Sequence, residues 1–328
     1  MKFTQRTLLA SAVLGAVFCS SAQASGEVGV FYYNLSDQFI AVFRDTLHNE
    51  KQWLKIDINE FTAQEDSLLQ LQQAESLEPG TPMLVNLVDR NHADDIVELA
   101  RSRKSRVVFF NREPSRAVVK SYDNAFYVGS DPVMAGVLQG EMISKYIKDH
   151  PKTDRNGDGK IEVVLIKGEE NHQDTEQRMQ NTIATLRKND IRFEQTASLR
   201  ADWSQEKAFN EMEKLLTRNG MDSIELVISN NDAMALGAVQ SLSNNGYNAQ
   251  DKDRFIPVFG IDAIPDALRA IDEGRMVGTV QNDAQTMSRI ALKLAASKSE
   301  DRAVLSKEIG FEIDEDGFVK VPFRAVVK

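Results

Sequence analysis

Residues 225–243 read ELVISNNDAMALGAVQSLS. The run opens on Glu225 to Ser229, apolar and β-branched through its middle, and closes on a helix-period pattern, Ala233 to Ser243. Between them stand Asn230, Asn231 and Asp232. A short, nearly continuous apolar run predicts a parallel strand covered on both faces. The polar triplet then falls where the strand stops and the helix starts.

Outward from this unit the same rhythm repeats. Strands are predicted at Val28 to Tyr33, Met83 to Val88, Arg106 to Asn111, Ile161 to Ile166, Phe255 to Gly260 and Val277 to Gln281. Helical patterns cover Gln38 to Glu50, Asp66 to Leu77, Ala93 to Ser102, Val133 to Lys148, Thr175 to Lys188, Gln205 to Thr217 and Gln285 to Ser297. Alternation of this kind predicts an α/β fold of doubly wound parallel sheets. The strands are too many for one comfortable sheet, so two Rossmann-like lobes are expected. No Pro/Gly-rich linker separates them, which predicts short crossover strands. Ligands of open parallel sheets bind outside the carboxyl ends of the strands. With two lobes facing each other, that edge becomes a cleft.

The chain has 328 residues and a formal charge of −10, with 42% hydrophobic and 27% charged residues. This is a globular composition. The acidic balance argues against nucleic acid or an anionic membrane surface as the main partner. Lys2 and Arg6, the apolar run Leu8 to Phe18 and the small-x-small site Ala22-Gln23-Ala24 predict a cleaved export signal over 1–24. The only cysteine, Cys19, lies inside that signal behind the large Phe18, which disfavours lipidation. The remaining chain would need no disulfide. An acidic, cysteine-free exported chain fits a bacterial periplasm.

Polar residues recur at the strand ends. Asp37 and Phe39 follow the first strand, and Asn86 falls within the Met83 strand. His172, Asp174 and Arg178 follow the Ile161 strand; Asn231, Asp262 and Asn282 follow later ones. Any single Asn or Asp reads equally well as a helix cap or turn. As a set they suit a polyhydroxylated ligand, because each hydroxyl both donates and accepts. Trp203 lies in a polar stretch at a helix start and is expected to stack on a sugar ring. Trp53, beside charged residues, is expected to pack in the core.

One loop motif is specific. Asp154, Asn156, Asp158 and Glu162 place oxygens at positions 1, 3, 5 and 9 of a calcium loop. Gly159 holds the sharp turn, and Lys160 would offer its carbonyl. Position 12 is Leu165, so the final bidentate carboxylate must come from elsewhere.

The stretches Val107 to Asn111, Glu113 to Arg116, Tyr127 to Gly129, Asn231 to Ala235 and Pro257 to Gly260 resemble the periplasmic sugar-binding proteins of the ribose, arabinose and galactose/glucose type. The likeness is weakest from Leu54 to Leu84 and near the C-terminus. It implies two lobes joined by three crossover strands, 25–105 plus 283–319 and 106–282 plus 320–328, the second carrying the calcium loop. It implies crossovers near Ser105, Asn282 and Phe323. It also implies a sugar site: Phe39 and Trp203 sandwich the ring, and Asp37 and Asn231 bond its hydroxyls. Asn86 and His172 reach the hydroxymethyl side, Asp174 and Arg178 the anomeric end, and Asp262 and Asn282 complete the set. Glu225 matches the distant calcium ligand, and the ion would be structural. The implied ligand is D-galactose or D-glucose, delivered by a monomer to an ABC permease, with a chemotaxis receptor as second partner.

The sequence departs from the family at Gln173, where a Pro is common, at Glu170-Asn171 in place of Pro-Gly, and at Glu162, where Gln is frequent. Other readings are a binding protein for another sugar, such as ribose or a methylgalactoside, and a glycosidase using Asp37 and Asp174 as its two carboxylates. The glycosidase leaves no group to activate water.

Overall fold

A computed structural model describes residues 27–249 and 254–327 of the chain; the expected export signal lies outside them. The chain enters as strand β1 (Glu27–Tyr32), buried from Val28 onward. Asp37 then caps helix α1 (Gln38–Leu54), its Oδ1 accepting from the N–H groups of Phe39 and Ile40. The helix buries Phe39, Ile40, Phe43 and Leu47, a stripe at helical spacing. There follow β2 (Asp57–Thr62), α2 (Ser67–Glu75), β3 (Met83–Val85), α3 (Ala93–Ser102), β4 (Val107–Phe110), α4 (Arg116–Lys120) and β5 (Ala125–Gly129). All four side chains of β4 are buried, so it needs strands on both sides and cover on both faces. Phe110 stacks on Phe43 of α1, ring centroids 4.2 Å apart. Removing either ring would cost about 3–5 kcal/mol.

The second lobe runs through α5 (Pro132–Asp149), β6 (Ile161–Lys167), α6 (Gln173–Lys188), β7 (Phe193–Arg200), α7 (Gln205–Asn219) and β8 (Leu226–Ser229). It continues with α8 (Asp232–Asn244), β9 (Val258–Phe259), α9 (Pro265–Asp272) and β10 (Gly278–Gln281). The chain then returns to the first lobe with α10 (Ala284–Ala296) and α11 (Arg302–Ile309), where α10 packs on α1, β3, β4 and β5. It ends with β11 (Phe318–Lys320) and β12 (Arg324–Val327).

The first sheet has the order β11-β5-β4-β3-β1-β2 and is parallel throughout. The second has the order β12-β10-β9-β8-β6-β7, parallel except for β12. Each sheet carries an apolar core on each face.

Two expectations are corrected. The first lobe does not stop at residue 105: β4 and β5 lie in its sheet, so residues 106–129 belong to it and the chain crosses at Ser130. Strand β5, hidden behind the short α4, completes the run before the crossing. The other crossings fall at Asn282-Asp283 and between Lys320 and Arg324. Trp53 is not a core residue. It sits in the last turn of α1 with 84% of its surface exposed.

Candidate functional site

Four side chains from the first lobe and six from the second line one pocket between them: Asp37, Phe39, Asn111 and Arg112, with His172, Asp174, Arg178, Trp203, Asn231 and Asp262. The cavity at its centre is small in this closed arrangement, about 30 Å³. Eight of the ten side chains expected to hold a ligand are on this wall. Three of them, Asp37, His172 and Asn231, are also helix N-caps, for α1, α6 and α8. The capping and binding readings are therefore compatible. The cap brings each side chain and a helix N-terminus to the strand end together.

The remaining two sit one step behind. Asn86 is fully buried; its amide donates to Phe110 O and Asn111 Oδ1, and its own oxygen accepts from Tyr33 N–H. Asn282 donates to Asp262 Oδ1 and accepts from Ser130 Oγ at 3.0 Å, tying two crossovers together. Asn111 and Arg112, which sequence reasoning did not place in the site, take wall positions instead. The register explains the exchange. Val85 pairs with Phe109, so Asn86 lies level with Phe110 and Asn111 stands one residue further out.

Backbone strain collects here. Asn111 (φ 61°), Asn171 (61°), Asp202 (44°), Trp203 (64°), Asp262 (124°) and Ala263 (57°) all hold positive φ without being glycine. Such positions persist where surrounding contacts over-determine them, and they cluster at ligand clamps. Asn231 Nδ2 donates to Trp203 O, and Tyr127 OH to Asn111 O, fixing two of these turns.

The charges are arranged in pairs. Arg178 donates to Asp174 Oδ2 at 2.9 Å and to Asn230 O, and lies 3.9 Å from Asp262 Oδ1. Burial holds the Asp262 carboxyl well above the usual carboxylate range. Behind it, buried Asp232 is pushed up to about 6, while accepting from Thr279 Oγ1 and Ile264 N–H. Burial lowers His172 to about 4, so the imidazole stays neutral near pH 7. Its Nδ1 accepts from Asp174 N–H, while Nε2 is buried with no partner, as is Arg178 Nε. Unpartnered buried polar atoms on a pocket wall mark where a ligand supplies the missing bond.

Asp37 Oδ2 accepts from Tyr33 OH at 2.6 Å, and Asp37 Oδ1 serves the α1 cap. Arg112 stands over the Tyr33 ring at 3.6 Å. It pairs across the lobes with Glu169, Arg90 likewise bonds Gln173, and Gln38 donates to Gln205 at 2.7 Å. The lobes are thus closed on each other through direct bonds.

In the acidic loop, Asp154 accepts from Gly157 and Gly159 N–H, Asn156 from Asp158 N–H, and Asp158 from Lys160 N–H. Glu225, only 1% exposed, turns its carboxylate to the same loop and accepts from Arg155, Asn156 and Glu162 N–H. Burial and the adjacent Glu225 push Glu162 up to about 7. Among the described residues no three His, Cys, Asp or Glu side chains close around one point. The donor set is nevertheless all oxygen and rich in carboxylate, the chemistry of a hard cation site.

Two closed α/β lobes over an enclosed polar pocket define a solute-binding protein of the clamshell kind. The chain belongs to the periplasmic binding protein domain family, whose model matches residues 28–302; its members bind a solute and are not enzymes. It is 33% identical to the D-galactose/methyl-galactoside binding periplasmic protein of Haemophilus influenzae, across 99% of this chain and 97% of that one. It is 25% identical to a ribose import binding protein of Salmonella typhimurium, over 88% of each. Among solved structures it resembles an ABC transporter solute binding protein of Bacillus halodurans with bound myo-inositol. That match has a TM-score of 0.72 and 25% identity over 92% of this chain and 94% of that one.

Proposed function

We propose that this protein is a periplasmic sugar-binding component of an ABC transporter, and that its ligand is a hexose, D-galactose or D-glucose. The observation that carries the reading is the pocket wall. Aromatic Phe39 and Trp203 stand in one enclosure with Asp37, Asn111, Asp174, Arg178, Asn231 and Asp262. Apolar ring faces suit the aromatics, and hydroxyls suit the carboxylates and amides. His172 Nε2 and Arg178 Nε offer unpaired donors to the same ligand. The 33% identity to a galactose-binding relative supports a hexose over a pentose.

Ligand that touches both lobes binds the closed state better and shifts the population toward it. The closed form then docks on the permease; a chemotaxis receptor is a second partner for the same form. Asp154, Asn156, Asp158, the Lys160 carbonyl, Glu162 and Glu225 would hold calcium, which would staple the loop before β6 to the start of β8.

Calorimetry on unfolded, ligand-stripped and refolded protein tests the reading. D-galactose, D-glucose, D-ribose, D-allose and myo-inositol form the panel. Saturable one-to-one binding of a hexose, tighter than ribose or inositol, is expected. Heat from ribose or inositol alone would overturn it.

A further inference from the structure

Arg112 lines the pocket, yet its own bonds lead away from it. Its Nη1 donates to Val88 O within the first lobe, and its Nη2 donates to Glu169 Oε1 of the second. The guanidinium carbon stands 3.6 Å from the Tyr33 ring centroid, and the Tyr33 hydroxyl donates to Asp37 Oδ2. Arg112 is held there by the left-handed turn at Asn111, with its N–H donating back to Phe110 O. Asn86 braces that turn from behind. A single buried cation thus touches the opposite lobe, and through Tyr33 it reaches the carboxylate that faces the ligand.

We infer that Arg112 is a positioning residue that couples lobe closure to the ligand: its pairing with Glu169 holds the closed state, and its seat on Tyr33 aims Asp37. In the closed arrangement Arg112 is almost wholly covered and Glu169 is its counter-charge; when the lobes part, Glu169 leaves with the second lobe and the pair is lost. Truncating one partner of a buried, hydrogen-bonded charge pair acts mainly on dissociation. Among the described residues, Arg112–Glu169, Arg90–Gln173 and Gln38–Gln205 bond across the lobes, and of these only the first involves a residue of the pocket wall.

The inference rests on the sugar-binding reading, and stopped-flow fluorescence with the hexose that binds tightest tests it. Glu169→Gln removes the charge from a partly exposed side chain, so the fold survives. Its hexose dissociation rate should rise roughly tenfold, with the association rate within about twofold of wild type. Arg112→Ala should release sugar at least as fast as Glu169→Gln, and Arg112→Lys, which keeps charge but not the planar fork, should recover part of the loss. An unchanged dissociation rate in Glu169→Gln overturns the inference, as does an effect confined to the association rate. Small-angle scattering separates the two readings. If no hexose binds wild type, the sugar assignment fails, while a larger ligand-free radius of gyration in Glu169→Gln than in wild type still supports the closure role and an equal radius refutes it.

Discussion

A β-carbon added to Gly168 would stand 2.4 Å from Cζ2 of Trp203. The glycine is therefore the floor on which the indole lies, and no other residue leaves room for it. Its neighbour in the fold, Asn230, holds that floor by accepting from Gly168 N–H.

Gly168→Ala should push the indole toward the pocket. Overpacking of this kind costs about 1–3 kcal/mol, and the expected result is hexose affinity at least tenfold weaker with the two-lobe fold retained. Calorimetry with circular dichroism on the same sample checks it. Wild-type affinity in the variant would show that the ring has space the structure does not give it.

The two tryptophans make a clean optical assay. Trp53 is 84% exposed on the outside of α1, whereas Trp203 is 8% exposed against the pocket. Sugar should perturb only the second. Trp53→Phe is expected to keep the full amplitude of the emission change; Trp203→Phe should abolish it and weaken binding by about 1–3 kcal/mol, the range for losing an aromatic anchor. A surviving signal in Trp203→Phe would sink the stacking role.

His172 sets a dependence on pH. Its ordinary value of 6.5 falls to about 4 in the folded protein because burial disfavours the imidazolium. Between these values the unfolded chain binds a proton that the folded one does not. Stability must therefore fall as pH drops from about 6.5 to about 4, by roughly 3 kcal/mol at most. His172→Gln should flatten that part of the curve. Urea unfolding of both proteins at pH 7 and pH 4.5 measures the difference, and parallel losses in the two would contradict the assignment.

Calcium should stabilise the second lobe. Chelator is expected to lower the melting temperature by several degrees and added calcium to restore it, as for any ligand that binds only the folded state. Glu162→Gln should weaken the calcium response and Glu225→Gln nearly abolish it, because carboxylate count tunes affinity. A melting curve indifferent to both chelator and calcium would remove the ion from the account.

The parts of the molecule legible in sequence are those where one period dominates. The β8–Asn231–α8 unit is apolar on both faces of its strand and then helical, and it folds as read. Strands β2 and β7 lie at sheet edges with half-exposed, polar-rich sequences, DINEFT and FEQTASLR, and carry no apolar run to reveal them. Helices α4 and α9 are too short for a period to show. In the pocket, residue type was visible but register was not. Asn86 and Asn111 are the same amide at the ends of neighbouring strands, and only the pairing of β3 with β4 decides which one meets the ligand. Arg112 was hidden for a related reason: a left-handed residue ahead of it turns its side chain inward.

The last two strands are dealt one to each lobe: β11 forms the edge of the first sheet beside β5, and β12 the edge of the second beside β10. Neither sheet is complete without the segment 318–327, which supplies an edge strand to each. Proteolytic loss of residues 318–327 would therefore damage both halves at once, stripping an edge strand from each sheet.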